Sequence, residues 1–106
     1  DAHRLRGVYC WLVGKQKKAM GSWRKAVAAG EALGANLELS RTYFEIGKRL
    51  SEDRSRYRAL DGVAAEGYLH KARGLFDEMG LGWDLNEMAL AGFGSAPSSL
   101  EAGATG

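Results

Sequence analysis

The sequence is poor in the features that mark secreted and membrane proteins. Its 106 residues include one cysteine, so the chain has no pair with which to form an internal disulfide. It has no apolar run of the roughly 18 residues that a transmembrane helix needs, and no short apolar segment typical of a secretion signal. These absences predict a cytoplasmic protein with no membrane partner.

Neither sign of charge is in large excess. The chain carries 15 lysine and arginine residues against 13 aspartate and glutamate residues, for a formal net charge of +2 at pH 7. A protein whose main task is to neutralise nucleic-acid phosphates usually has a larger basic surplus. Nucleic-acid binding is therefore not the first expectation.

Helical periodicity dominates the first third of the sequence, and no segment has a convincing strand pattern. A helix is predicted over residues 2–13, with an apolar stripe made of Leu5, Val8, Tyr9 and Leu12. A second helix is predicted over residues 15–33, with inward side chains at Ala19, Trp23, Ala26, Val27 and Leu33. Gly14 and Gly34 suit the turns after these helices, because glycine adopts left-handed backbone at little steric cost.

The pattern restarts at Asn36, where a third helix is predicted to run to about Glu52. Its spacing repeats that of the first helix, since Gly7, Cys10 and Gly14 are followed 33 residues later by Ser40, Tyr43 and Gly47. A fourth helix is predicted from Val63 or Ala64 to Met79, with a stripe made of Leu69, Ala72, Phe76 and Met79. The first hairpin thus spans residues 1–34 and the second spans residues 36–80.

The second hairpin is interrupted and then followed by a short helix. Adding 33 to Ala19 gives position 52, but the matching alanine is Ala72, which implies a 20-residue insertion over about residues 51–68. The Asp61-Gly62 pair predicts a turn there. A capping helix is predicted over residues 84–92, with Asp84 as N-cap and Glu87 completing a capping box. Residues 93–106 are rich in glycine, serine and alanine, which predicts a disordered tail.

The spacing resembles that of tetratricopeptide repeats (TPRs). Small, aromatic and glycine positions of a TPR match Gly7, Cys10, Gly14, Ala19, Trp23 and Ala26, although Cys10 stands where an aromatic residue is usual. RTYFEIGKRL and the later LDGVAAEGYLHKARGLFDEMGLGWDL look like the closing repeats of TPR arrays at the C-terminal end of large bacterial signalling ATPases. The resemblance implies an all-α fold of antiparallel helical hairpins stacked as a short TPR-like α-solenoid.

The same resemblance implies a concave groove lined by the first helix of each hairpin. Its candidate residues are Arg4, Val8, Trp11, Leu12, Leu37, Arg41, Phe44 and Glu45. Trp11 and Phe44 could anchor an apolar side chain while Arg4 and Arg41 clamp a carboxylate. Alternatively, Trp11 and Phe44 pack against each other or against the next repeat. A protein or peptide segment is the expected partner.

The sequence predicts no metal site and no catalytic site. His3, Cys10 and His70 are the sole nitrogen or sulfur ligand candidates, whereas a zinc site usually takes about four ligands in close pairs. The expectation is therefore no metal, no cofactor and no enzyme, with Cys10 a small buried residue. The Gly-Lys pairs at 14–15 and 47–48 are hairpin turns and not phosphate loops, because no strand precedes them.

Two basic clusters leave nucleic acid open as a weaker alternative. The first consists of Lys15, Lys17, Lys18, Arg24 and Lys25, and the second of Arg54, Arg56, Tyr57 and Arg58. They could hold phosphates or simply form solvated surface, but an acidic peptide or protein suits them better.

Three functions follow in order of expectation. The first is a protein interaction or intramolecular signal-relay module within a larger bacterial signalling protein, since the sequence begins at Asp1 in what reads as mid-helix. The second is a purely structural cap of a longer repeat array. The third is a nucleic-acid-binding regulator. Self-association is possible in each.

Overall fold

The computed structural model describes residues 2–92, over which helix dominates. The elements in chain order are α1 (Ala2–Leu12), α2 (Gln16–Leu33), α3 (Asn36–Leu50), β1 (Ala59–Leu60), β2 (Val63–Ala64), α4 (Ala65–Glu78) and α5 (Gly82–Leu90). The predicted all-α class is confirmed for this part of the chain, apart from the two very short strands. The tail predicted over residues 93–106 lies outside the described residues.

Glycines in left-handed backbone separate the first three helices. Gly14 has a φ of 88° between α1 and α2, and Gly34 has a φ of 64° after α2. Beyond Gly34, the backbone N–H of Ala35 donates to the carbonyl of Gly30 at 2.9 Å, which satisfies a carbonyl that the helix end leaves free. The two predicted turns are confirmed.

Helices that are consecutive in the chain pack on one another, and their contacts form one core. The largest fully buried side chains include Trp11, Trp23, Ile46 and Phe76. In the α3–α4 pair, the Phe44 ring lies 6.3 Å from that of Phe76, while Gly47 faces Leu69. Contacts that move forward along α3 therefore move backward along α4, so this pair is antiparallel.

The inward face of α1 is formed by Gly7 and Trp11 and not by most of the predicted apolar stripe. Leu5, Tyr9 and Leu12 are 60%, 66% and 53% exposed, whereas Gly7 and Trp11 are buried. The reason is the close approach of α2, because the Trp23 indole lies where a side chain at residue 7 would be. Only glycine leaves room for that ring. The helix is therefore rotated about its axis so that Gly7 faces α2 and most of the aliphatic stripe faces solvent. Leu33, also predicted inward, is 81% exposed.

The inserted segment contains a small β-hairpin that the sequence did not predict. β1 and β2 are antiparallel, with Ala59 paired to Ala64 and Leu60 to Val63. Asp61 and Gly62 form the turn with φ values of 52° and 78°, as an Asp-Gly hairpin turn requires. Two-residue strands are too short to leave an alternating pattern, so the expectation of no strands was wrong.

The hairpin shifts the predicted helix boundaries and is fixed to its surroundings. α3 ends at Leu50, two residues earlier than predicted, and α4 begins at Ala65, one or two residues later than predicted. The Tyr68 hydroxyl donates to the carbonyl of buried Leu60 at 2.7 Å. Arg24 of α2 donates to the Asp61 carboxylate at 2.8 Å. Since desolvation favours the neutral phenol, burial raises the pKa of Tyr68 to about 12.

The predicted capping box of the last helix is wrong. α5 begins at Gly82, and Leu81 at the N-cap position makes no side-chain hydrogen bond. Asp84 instead lies in the first turn, buried, where it accepts hydrogen bonds from Arg41 at 3.2 and 3.4 Å. A carboxylate there also interacts favourably with the helix dipole. The pair fixes α5 to α3 and closes that side of the core.

Candidate functional site

The predicted groove residues come from two helices that lie side by side. Arg4 of α1 pairs with Glu38 of α3 at 3.7 Å. Seven residues further along α1, the Trp11 indole N–H donates to Glu52, just beyond α3, at 2.9 Å. Because both contacts advance together, α1 and α3 run in the same direction. α1 and α3 are therefore parallel and in contact.

The two aromatic anchors proposed for this groove pack into the core. Trp11 is 0% exposed, and its ring lies 5.5 Å from that of Trp23 on α2. Phe44 is half-buried and meets Phe76 of α4 edge-on. Each aromatic residue thus packs on the next helix in the chain and not on the other anchor. Trp11 has no surface to offer a partner, so its role as a binding anchor is withdrawn.

The polar groove candidates are held by neighbouring side chains. Arg41 is paired with Asp84, so its guanidinium already has a carboxylate partner. Glu45 is buried and lies 2.6 Å from Arg49 and 3.6 Å from Lys48. These ion pairs link α3 internally and to α5. A carboxylate clamp by Arg41 would have to displace Asp84 first.

The aliphatic groove candidates include the two most accessible members of the set. Val8 is half-buried, and Leu12 and Leu37 are exposed. Leu12 also belongs to a larger exposed surface, here called the α1 stripe, which consists of Leu5, Tyr9 and Leu12 of α1 and of Val13 just beyond its end. The sequence pattern predicted one apolar stripe that contains Leu5, Tyr9 and Leu12, and of these only Leu12 was also predicted to line the groove. The competing Gly7–Trp11 face was the signal that could have placed it outside.

A basic cleft lies beside the α1 stripe. This α1–α2 cleft, of about 590 Å³, is lined by Arg6, Tyr9, Cys10, Lys15, Lys18, Ser22 and Lys25. Four of its lining residues are basic and none is acidic. Tyr9 belongs to both the stripe and the cleft, so the apolar and basic surfaces are continuous. Three members of the first predicted basic cluster therefore meet at one place.

Arg24, Arg54 and Arg56, from the two predicted basic clusters, make contacts within the fold. Arg24 pairs with Asp61 of the hairpin turn. In the second predicted cluster, Arg54 pairs with Glu52 at 2.7 Å, and the backbone N–H of Arg56 donates to Gln16 at 2.8 Å. Tyr57 is half-buried. The inserted segment thus docks on Gln16 of α2 through the backbone of Arg54 and Arg56, and the Arg54 guanidinium is engaged by Glu52.

Glu52 is the centre of the polar contacts that join α1 to the end of α3. Its carboxylate accepts hydrogen bonds from Trp11, Arg49 and Arg54 at 2.9, 2.7 and 2.7 Å. Burial alone would raise the pKa of this carboxyl, but the three donors outweigh it and lower the pKa of Glu52 to about 2. The charged form is thus the one that the fold stabilises.

Glu52→Gln is expected to destabilise the protein at pH 7 but not at about pH 2. A carboxyl with a lowered pKa contributes stability above its ordinary value of 4.5, and this contribution disappears as pH falls through about 2. The difference in urea midpoint between wild type and variant should therefore shrink across that interval. Asp53→Asn is the control, because that exposed carboxylate has no ion pair within residues 2–92. A midpoint difference for Glu52→Gln that is constant with pH would contradict the proposed contacts.

The candidate chemical residues are not brought together. Within residues 2–92, no group of three or more histidine, cysteine, aspartate and glutamate side chains is arranged to hold a metal ion. His3 and Cys10 lie on α1, while His70 lies on α4 beside a separate cleft with α5. Cys10 is half-buried at the α1–α2 cleft, whereas the sequence predicted a core position.

Two further observations complete the description. None of the helices within residues 2–92 has both the length and the hydropathy required to cross a lipid bilayer. Comparison of the chain with protein-family models, with curated proteins and with solved structures finds no match.

Proposed function

We propose that this chain is a non-catalytic interaction module that binds a protein segment, either from another protein or from elsewhere in its own parent chain. In this proposal its helices form a short TPR-like stack, and the parent is a larger bacterial signalling protein. The α1 stripe is the contact surface.

The exposure of the α1 stripe is the observation that supports this proposal. Leu5, Tyr9 and Leu12 follow one another at spacings of four and three, so they share one side of a helix. Each is more than half exposed, while the opposite side of α1 buries Trp11. Single exposed leucines are ordinary, but an aligned apolar row is typical of a surface that a partner covers.

A peptide that presents leucines on one helical face should bind wild type, and Leu5→Ala/Leu12→Ala should weaken that binding. A peptide of roughly 18 residues with glutamines on its other face is a suitable probe, since it is long enough to form a helix on binding. The expected loss of affinity is at least about tenfold, because two apolar contacts are removed. Fluorescence anisotropy of the labelled peptide measures it.

Leu33→Ala/Leu90→Ala provides the matched control. It removes the same atoms from side chains that are 81% and 75% exposed on α2 and α5. This variant should bind the peptide as wild type does. If the control variant loses affinity equally, the peptide binds exposed apolar residues without preference for α1, and the proposed site is wrong.

A structural cap of a longer repeat array is the alternative, and the packing of α5 favours it. α5 buries Met88 and pairs Asp84 with Arg41, so it covers part of the α3–α4 hairpin as a capping helix would. Under this alternative the α1 stripe contacts a preceding repeat and no separate partner. Wild type would then fail to bind the free peptide.

A further inference from the structure

We propose that the segment bound by the α1 stripe is an acidic amphipathic helix, whose carboxylates enter the α1–α2 cleft. This inference depends on the proposed function, since it names the chemistry of the partner at the same surface. Its apolar face would cover Leu5 and Leu12. Its acidic edge would lie along the basic residues on the α2 side of Tyr9.

The charge of the cleft supports an acidic partner. Arg6, Lys15, Lys18 and Lys25 are all exposed and come from both sides of the cleft. Within residues 2–92, no carboxylate lies at ion-pairing distance from any of them, whereas Arg4, Arg24, Arg41 and Arg49 all have such partners. The cleft is thus a local excess of unpaired positive charge on a chain whose net charge is only +2. Opposite charge on a partner would complement it.

Helical spacing supports a helix as the form of the partner. The stripe runs along α1 at spacings of four and three residues, which is the repeat that a second helix presents on its own apolar face. Tyr9 belongs to both the α1 stripe and the α1–α2 cleft, so the basic residues of the cleft lie along one side of the stripe. A helix with leucines on one face and glutamates on the adjoining edge matches both surfaces together.

Two other occupants fit less well. A second copy of this chain would bring its own basic cleft close to the first, and like charges would repel. Nucleic acid would neutralise the lysines but would leave the aliphatic side chains of Leu5, Leu12 and Val13 without apolar contacts. An acidic peptide uses the basic and the apolar residues at once.

The experiment compares three peptides of the same length that share one leucine face. Their polar faces carry glutamate, glutamine or lysine, and anisotropy gives their affinities for the whole chain. The glutamate peptide should bind wild type at least about tenfold more tightly than the glutamine peptide at low salt, and this advantage should shrink with added salt. The lysine peptide should bind most weakly.

Charge reversal in the cleft should make the protein prefer the lysine peptide over the glutamate peptide. Lys18→Glu/Lys25→Glu is expected to weaken the glutamate peptide and strengthen the lysine peptide, while the glutamine peptide is unchanged. Lys17→Glu is the control because Lys17 is exposed on α2 but does not line the cleft. If glutamate and glutamine peptides bind wild type equally, the acidic partner is ruled out while the interaction module stands. If no peptide binds, the proposed function fails as well.

The single cysteine locates the bound peptide. Cys10 lines the α1–α2 cleft, so a saturating amount of the glutamate peptide should slow its alkylation by iodoacetamide at least about threefold, as expected for a covered thiol. The glutamine peptide at equal saturation serves as the reference for apolar contact alone. Unchanged alkylation with bound glutamate peptide would overturn the cleft as its site. Tighter binding of a single-stranded oligonucleotide, with equal protection of Cys10, would replace the acidic peptide by nucleic acid.

Discussion

Trp11→Ala is expected to lower the free energy of unfolding by about 3–5 kcal/mol, the usual cost of deleting a buried tryptophan side chain. The indole is 0% exposed and packs on Trp23, so its removal leaves a cavity between α1 and α2. It also removes one of the three donors to Glu52. Domains of this size are stable by about 5–15 kcal/mol, so a large share of the total would be lost. Chemical denaturation monitored by circular dichroism measures the change.

Trp83→Ala is the matched control for this prediction. It removes the same atoms from a side chain that is 69% exposed on α5, and its effect should stay within about 0.5 kcal/mol. Trp11→Phe should fall between the two, because it keeps an aromatic ring but loses the hydrogen bond to Glu52. Equal losses for Trp11→Ala and Trp83→Ala would show that the indole of Trp11 is not a core residue.

Gly7→Ala is expected to destabilise the protein by about 2 kcal/mol, although alanine is normally the better helix former. A methyl group at this position would overlap the indole of Trp23, including its Cε2 atom at 2.7 Å. Trp23 is fully buried, and its N–H donates to the carbonyl of Arg4, so the ring cannot move aside freely. The helices would have to separate.

Gly21→Ala should have the opposite sign. A methyl group there meets no atom within 4 Å, and Gly21 lies in the interior of α2. The gain in helix propensity of about 0.5–1 kcal/mol is then not opposed by a clash. Thermal unfolding of both variants decides the matter. Stabilisation by Gly7→Ala would contradict the close approach of α1 and α2.

Local signals in the sequence predicted the helices well but not which way they face. Gly14 and Gly34 placed the first turns correctly because left-handed backbone has a strong residue preference. Leu5 and Tyr9 belong to the predicted apolar stripe of α1, but apolar spacing alone does not state which of two faces is buried. That choice depends on Trp23, a residue on another helix, and on the space that Gly7 leaves for it.

The candidate site shows the same limit more sharply. Trp11 looked like a binding anchor because aromatic residues are common in interfaces, yet they are equally common in cores. Asp84 looked like a helix cap, but its carboxylate pairs with Arg41, which is 43 residues away in the chain. Contacts between residues so far apart in the chain produce no periodic pattern in the sequence. The sequence predicted the lysine cluster of α2, but only the structure shows that Lys18 and Lys25 line the same cleft as Tyr9.

α1 thus has two sides that differ in burial. The side with Gly7 and Trp11 holds the helix to α2 and to the end of α3. The opposite side exposes Leu5 and Leu12, and we propose that a partner covers it. Substitutions on the first side should act on stability, and those on the second should act on binding.

The unfolding free energy of Leu5→Ala/Leu12→Ala, the variant designed to weaken peptide binding, tests this division most directly. If the α1 stripe serves a partner, the variant should unfold within about 1 kcal/mol of wild type, because both side chains are more than half exposed. A loss as large as the one expected for Trp11→Ala would place the stripe in the protein's own core and contradict the account.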